Sequence, residues 1–207
     1  MPSELAPRLL HRFASSEGYT LYPDILPLLQ KLRGHTKVSD GRLVVGVITN
    51  SDNRVPDILS SLGVRVSPLR YGETTTTAAS LGDDEYDVDF TVMSYDVGHE
   101  KPDKRIFEAG EEMLGLALGG TEDAPPLDPK SFRKIYVGDE YEKDIAGALQ
   151  AGWNAVLVDR ESSTRRPDLL WLDDRQPGAL QDVFQESRAV AFTSLSQLAK
   201  WIPEHHN

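Results

Sequence analysis

The sequence predicts an α/β fold built on a mostly parallel sheet flanked by helices. Two observations carry this. Short β-branched or apolar runs, Leu43 to Ile48, Phe90 to Met93, Ile135 to Val137 and Ala155 to Val158, alternate with helical stretches. Runs without polar alternation are what strands buried on both faces require. The stretch from Lys134 to Arg160 is also a compact strand–helix–strand unit. A connection that short joins parallel strands through a crossover helix.

The elements follow in order. Glu4 to Ser16 reads as a helix carrying Leu5, Leu9, Leu10 and Phe13. Pro23 to Leu32 reads as a second, with proline at its first position and Ile25, Leu26, Leu28, Leu29 and Leu32 inward. Gly34 to Gly41 reads as a loop. The Leu43 strand ends in Thr49-Asn50-Ser51, and Val55 to Leu62 is a helix stopped by Gly63. The segment from Val64 to Asp89 reads as a polar excursion in which Asp83, Asp84, Glu85, Asp87 and Asp89 form a solvated charge run. Pro102 to Leu118 is expected as a helix opened by Pro102, and Gly119 to Lys130 as a surface insertion. Glu142 to Ala151 is the crossover helix, ended by Gly152. Glu161 to Gly178 is a polar loop around Leu169 to Trp171, Ala189 to Phe192 an edge strand, and Leu195 to Ile202 a closing helix. Trp153, Trp171 and Trp201 read as packing residues. His205 and His206 read as tail rather than ligands.

Composition narrows the function classes. A net charge of −11 argues against nucleic acid and anionic membrane as partners. With no Cys, disulfides, thiolate chemistry and Cys-zinc sites are excluded. No apolar run approaches the roughly 18 residues of a membrane span. No signal peptide is visible, so an intracellular location, cytoplasmic or nuclear, is expected. Oligomeric state is not legible.

Three strand ends carry chemistry. Thr49, Asn50 and Ser51 offer a hydroxyl, an amide and backbone N–H groups suited to phosphate oxygens. Lys101 follows the Phe90 strand and precedes a helix. Asp139 and Asp144 follow the Ile135 strand, and two acids placed together suit a hard cation such as Mg2+. Each has a plainer reading alone: Asp139 and Asp144 as helix-capping acids, Lys101 as a surface lysine, Thr49-Asn50 as a turn.

Together these segments resemble the haloacid dehalogenase (HAD) superfamily. Val47-Ile48-Thr49-Asn50-Ser51, Gly98 to Phe107 and Val137-Gly138-Asp139 through Asp144 look like its second, third and fourth motifs. The likeness runs from about Arg12 to Asp159 and leans toward the branch called haloacid dehalogenase-like hydrolase domain-containing protein 3; Leu21 to Leu29 also resembles that branch. The resemblance implies a Rossmann-like core and Mg2+-dependent phosphatase-type hydrolysis of a small phosphorylated substrate. Thr49 would bond the phosphoryl group with Asn50 beside it. Lys101 would neutralise phosphate and nucleophile. Asp139 would hold Mg2+ directly or through water, with Asp144 supporting it. Residues 1–18 would be a remnant of the last cap helix, and 19–207 the core, with polar insertions near 65–89, 119–131 and 161–180.

The sequence departs from the family in one respect. The D-x-D motif that supplies its nucleophile and general acid, expected at the end of a strand near the N-terminus, is not found ahead of the Leu43 strand. Asp24 lies in a helix and Asp40 precedes its strand; Ser51 and Asp52 are unconvincing substitutes. The chain is therefore expected to lack the first, central strand and the cap domain, leaving a gap of about 9–10 Å between the Leu43 and Ile135 strands. Two readings follow: a hydrolase core inactive as it stands, or a non-catalytic HAD-like binding or interaction module.

Overall fold

A computed structural model describes residues 4–38, 43–73, 86–119, 127–161 and 165–203, with side chains omitted for 35–38. Asp40, Thr74 to Glu85 and the two tail histidines lie outside the described residues. All strand pairing among the described residues is parallel. β1 (Gly46–Thr49) pairs with β2 (Phe90–Met93) in one sheet. β3 (Ile135–Gly138), β4 (Asn154–Val158), β5 (Leu170–Trp171) and β6 (Ala189–Phe192) form a second, in the order β3-β4-β6-β5. Among the described residues β1 and β3 each pair on one side only, with partners in different sheets. Ile135 and Val137 of β3 remain 39% and 42% exposed, so this strand is not covered on both faces as its composition suggests.

The helices are α1 (Leu5–Arg12), α2 (Ile25–Val38), α3 (Val55–Ser61), α4 (Ser94–Val97), α5 (Lys104–Ala117), α6 (Gly147–Gln150), α7 (Leu180–Glu186) and α8 (Leu195–Ala199). No described helix is long and apolar enough to cross a membrane. α5 joins the two sheets. Its buried face holds Ile106, Phe107, Met113 and Leu114. Phe107 meets Tyr136 of β3 edge-on at 5.3 Å and Trp153 at 5.7 Å. Gly110 lies so close to Ile48 of β1 that a Cβ there would come within 2.6 Å of its Cδ1. Glycine at that point lets helix, β1 and Trp153 share one core. Glu111, one residue on, accepts from Lys134 Nζ at 2.5 Å and Trp153 Nε1 at 2.8 Å. A second core lies over β4 and β6, where Leu28, Val156, Val158, Phe184, Phe192 and Trp201 pack.

Several boundaries differ from the sequence reading. α2 continues through Gly34 to Val38. Gly34 meets nothing within 4 Å, and a single exposed helical glycine costs only about 1 kcal/mol. α5 begins after Asp103, whose side chain accepts from Arg105 N at 3.0 Å. An aspartate N-cap defines the start better than Pro102, whose peptide bond to Lys101 is cis. Residues 141–146 form a π-helical turn leading into α6. α7 was not anticipated. β6 lies between β4 and β5 and is buried along its length, so it is not an edge strand.

The 64–89 excursion is packed where described. Val64, Leu69, Asp87 and Val88 are buried. Asp87 Oδ2 accepts from Arg65 N at 2.8 Å, Asp89 Oδ2 from Val45 N at 2.7 Å, and Arg70 forks onto Asp96 at 2.9 and 2.6 Å. Asp87 and Asp89 are thus acceptors for inner backbone N–H groups rather than part of a solvated run. The flanks 64–73 and 86–89 hold a fixed course beside β1 and β2.

Asp24 ties the first helices to the sheet. Arg160 donates to both its oxygens, at 2.9 and 3.0 Å, and the N–H groups of Leu195 and Ser196 at the start of α8 reach Oδ2 at 3.0 and 3.3 Å. The Arg160 hydrogen bonds chiefly hold this carboxyl below its ordinary value of 3.8. A depressed native pKa stabilises above the unfolded value, and that stability fades as pH falls through the native one. Asp24→Asn should therefore lose about 1–3 kcal/mol at pH 7 by urea denaturation. Its deficit against wild type should shrink below pH 3.8.

Candidate functional site

The carboxyl ends of β1 and β3, and the loop after α4, bring the candidate residues together. Asn50 follows β1. Its Oδ1 accepts from Lys101 N at 2.7 Å and its Nδ2 donates to Lys101 O at 3.1 Å. This paired clamp fixes the peptide of Lys101 against the β1 end. The Lys101 side chain then crosses toward β3. Its Nζ donates to Asp144 Oδ1 at 2.7 Å and to the Tyr136 hydroxyl at 2.7 Å. Only 12% of the Lys101 side chain and 5% of that of Asp144 are exposed. A pair this buried is tolerated because both partners are hydrogen-bonded.

Asp144 is anchored from the other side as well. Its Oδ2 accepts from the N–H groups of Asp139 and Glu140 at 3.0 and 2.9 Å. Gly138 makes this possible, since a Cβ there would collide with the Asp144 carboxylate. The π-helical turn brings Asp144 back under the end of β3, as such turns often do at functional sites. Asp139 itself is exposed, and its carboxylate makes no hydrogen bond or ion pair among the described residues. Thr49, half-buried, ends β1 one residue before the clamp.

Four of the sequence-predicted residues thus form a connected set, Asn50 to Lys101, Lys101 to Asp144 and Asp144 to the Asp139 backbone, while Thr49 adjoins it only through the chain. Asn50 turns its amide to the Lys101 peptide. Asp144 has one oxygen filled by two backbone donors and the other engaged by Lys101. No group of three or more His, Asp or Glu side chains among the described residues could hold a metal alone. The free carboxylate of Asp139 is of the hard-oxygen kind that Mg2+ takes, an ion that keeps several waters and shares its remaining positions with phosphate.

The substitute nucleophiles fare poorly. Asp52 is gripped by Arg54, with Nε and Nη2 each at 2.8 Å, and these bonds hold its carboxyl low. Asp24 is committed to Arg160 and α8. No hydrogen bond to the Ser51 hydroxyl is present among the described residues, so no base activates it.

Tyr136 is the residue the sequence reading passed over. It looked like one apolar position in a buried strand. Its hydroxyl donates to the Ile48 carbonyl at 2.7 Å while receiving Lys101. Burial, then the charges of Asp144 and Asp139, push this phenol above its ordinary range, so it keeps its proton. A tyrosine between two aliphatic residues at a strand end was the available signal.

With this geometry in view, likeness to known proteins can be weighed. The family model for haloacid dehalogenase-like hydrolases matches residues 2–152, well over half of the chain. The chain belongs to the haloacid dehalogenase-like hydrolase family. An uncharacterized hydrolase of Schizosaccharomyces pombe is 26% identical over 159 residues, covering 77% of this chain and 56% of its own. The crystal structure of a HAD phosphatase from Thermococcus onnurineus superposes with a TM-score of 0.54 at 21% identity, over 94% of this chain and 63% of its own. The magnesium-bound HAD-hydrolase YfnB of Bacillus subtilis gives 0.52 at 15% identity, over 86% and 54%. These structures share the fold. The chain spans about half the length of the curated relatives it matches.

The two aspartates should separate by mutation. Asp144→Asn strands the Lys101 ammonium and should cost about 3–5 kcal/mol in urea denaturation. Asp139→Asn, at an exposed position, should stay within about 0.5 kcal/mol of wild type.

Proposed function

We propose that these residues form the phosphate- and Mg2+-binding part of a HAD phosphohydrolase site, and that the 207 residues alone bind phosphate without cleaving its esters. The observation that carries this reading is the placement of Lys101. Its backbone is clamped by Asn50 and its ammonium is held by Tyr136 and Asp144 at the rim where β1 and β3 end, beside an uncommitted Asp139. Nothing in a purely structural ion pair calls for a free carboxylate there.

In this reading Lys101 neutralises charge on a bound phosphoryl group. An ammonium has three donors, and two are used within the protein. The third is available to a phosphate oxygen. The Thr49 hydroxyl and the backbone N–H groups that follow β1 offer further donors to the same anion. Asp139 would hold Mg2+, with Asp144 behind it, and the bound ion would offset the charge of a phosphate.

Cleavage needs a group that strikes phosphorus, and the carboxylates considered for that task are occupied elsewhere. Fixed donors lower a barrier only when something begins to cross it. A carboxylate supplied to the hollow from outside these residues would complete a phosphatase of the family type. Without it the domain is a binding module for phosphate or a small phosphate ester.

Isothermal titration of the 207-residue chain with inorganic phosphate, with and without Mg2+, tests the reading. Binding should weaken roughly tenfold or more in Lys101→Met, the equivalent of a lost charge-assisted hydrogen bond. Asp139→Asn should abolish the Mg2+ effect and leave metal-free binding largely intact. p-Nitrophenyl phosphate should not turn over. Phosphate binding indifferent to Lys101 would overturn the proposed cradle, and turnover lost in Asp139→Asn would overturn the proposed inactivity.

A further inference from the structure

Tyr136 of β3 bonds directly to β1 of the other sheet. Its ring is buried against Phe107 and its hydroxyl lies 2.7 Å from both the Ile48 carbonyl of β1 and Lys101 Nζ. The proton arrangement is fixed by what each partner can do. A carbonyl only accepts, so the single phenolic hydrogen points to Ile48. An ammonium only donates, so Lys101 gives one N–H to the phenolic oxygen. Asp144 Oδ1 takes a second N–H at 2.7 Å.

Two consequences follow. With the Lys101 peptide clamped by Asn50 and two N–H directions used, tetrahedral geometry sets the third. The same hydroxyl is also a direct hydrogen bond between β1 and β3, which are not paired with each other among the described residues. It therefore sets how far the Thr49 end of one strand stands from the Asp139 end of the other.

We infer that Tyr136 is a positioning residue of the phosphate site, aiming the ligand-facing N–H of Lys101 and holding the Thr49 and Asp139 rims at working distance. This rests on the phosphate-binding reading above. A mere brace between sheets would contribute stability and nothing else. A positioning hydroxyl couples to Lys101 in ligand binding.

The test compares wild type, Lys101→Met, Tyr136→Phe and the double variant as full 207-residue chains. Affinity for inorganic phosphate is read by titration calorimetry, and thermal unfolding by circular dichroism. Tyr136→Phe should weaken phosphate binding roughly tenfold, as expected when a charge-assisted bond is misaligned. In the Lys101→Met background it should add no further loss. Wild-type affinity in Tyr136→Phe, with only a lowered melting temperature, would overturn the inference and leave the phosphate site standing. Equal binding by wild type and Lys101→Met would overturn the site itself, and the inference with it. A second measurement holds even where Tyr136→Phe fails to fold. In wild type the 15Nζ ammonium signal of Lys101, assigned by its loss in Lys101→Met, should be protected from exchange with water. Exchange as fast as that of surface lysines would overturn the inference.

Discussion

A buried ammonium needs acceptors aimed at it, and the site is built around that constraint at Lys101. Its two side-chain acceptors, at 2.7 Å, come from β3 and from the π-helical turn after it. Its backbone is clamped by Asn50, which follows β1. One residue, through its backbone and its side chain, thereby links two sheets that do not pair with each other among the described residues. Phe107, Gly110 and Glu111 of α5 close the same junction from beneath, through aromatic contact, close approach and hydrogen bonding. The chemistry and the architecture use the same few residues.

This explains the unusual local choices around the third strand. Gly138 is required because the Asp144 carboxylate folds back against the β3 end. The π-helical turn supplies the extra residue per turn that lets Asp144 reach both the Asp139 and Glu140 N–H groups and Lys101. Asp139, left outside that network, remains the one uncommitted carboxylate of the two. A pair of acids that looks redundant in the sequence is divided between a buried anchor, Asp144, and an exposed carboxylate, Asp139.

Much of the fold was legible from the chain. β2 falls where its apolar run does, and β3 and β4 within a residue of theirs, because buried parallel strands need such runs. The motifs at their carboxyl ends led to Lys101, Asp139 and Asp144, and the family membership follows from the same stretches. What could not be read depends on partners distant in sequence. Asp87 and Asp89 look solvated until Arg65 N and Val45 N are seen to need acceptors. The clamp of Asn50 on the Lys101 peptide, 51 residues on, is likewise invisible in the sequence. Tyr136 looks aliphatic in function until Ile48, 88 residues away, meets its hydroxyl. α7 was missed because Leu180, Val183 and Phe184 make a short stripe that gains its meaning only against Val190 and Phe192.

The central claim is that Thr49, Lys101 and Asp139 face one anion-binding hollow at the carboxyl rim. Crystals of the chain grown with tungstate, a heavy tetrahedral stand-in for phosphate, and Mg2+ test it most directly. The account predicts an anomalous peak within hydrogen-bond reach of Lys101 Nζ and Thr49 Oγ1, with Asp139 turned toward the ion beside it. Tungstate bound elsewhere on the molecule while that rim stays empty, or the three side chains turned to separate surfaces, would contradict it.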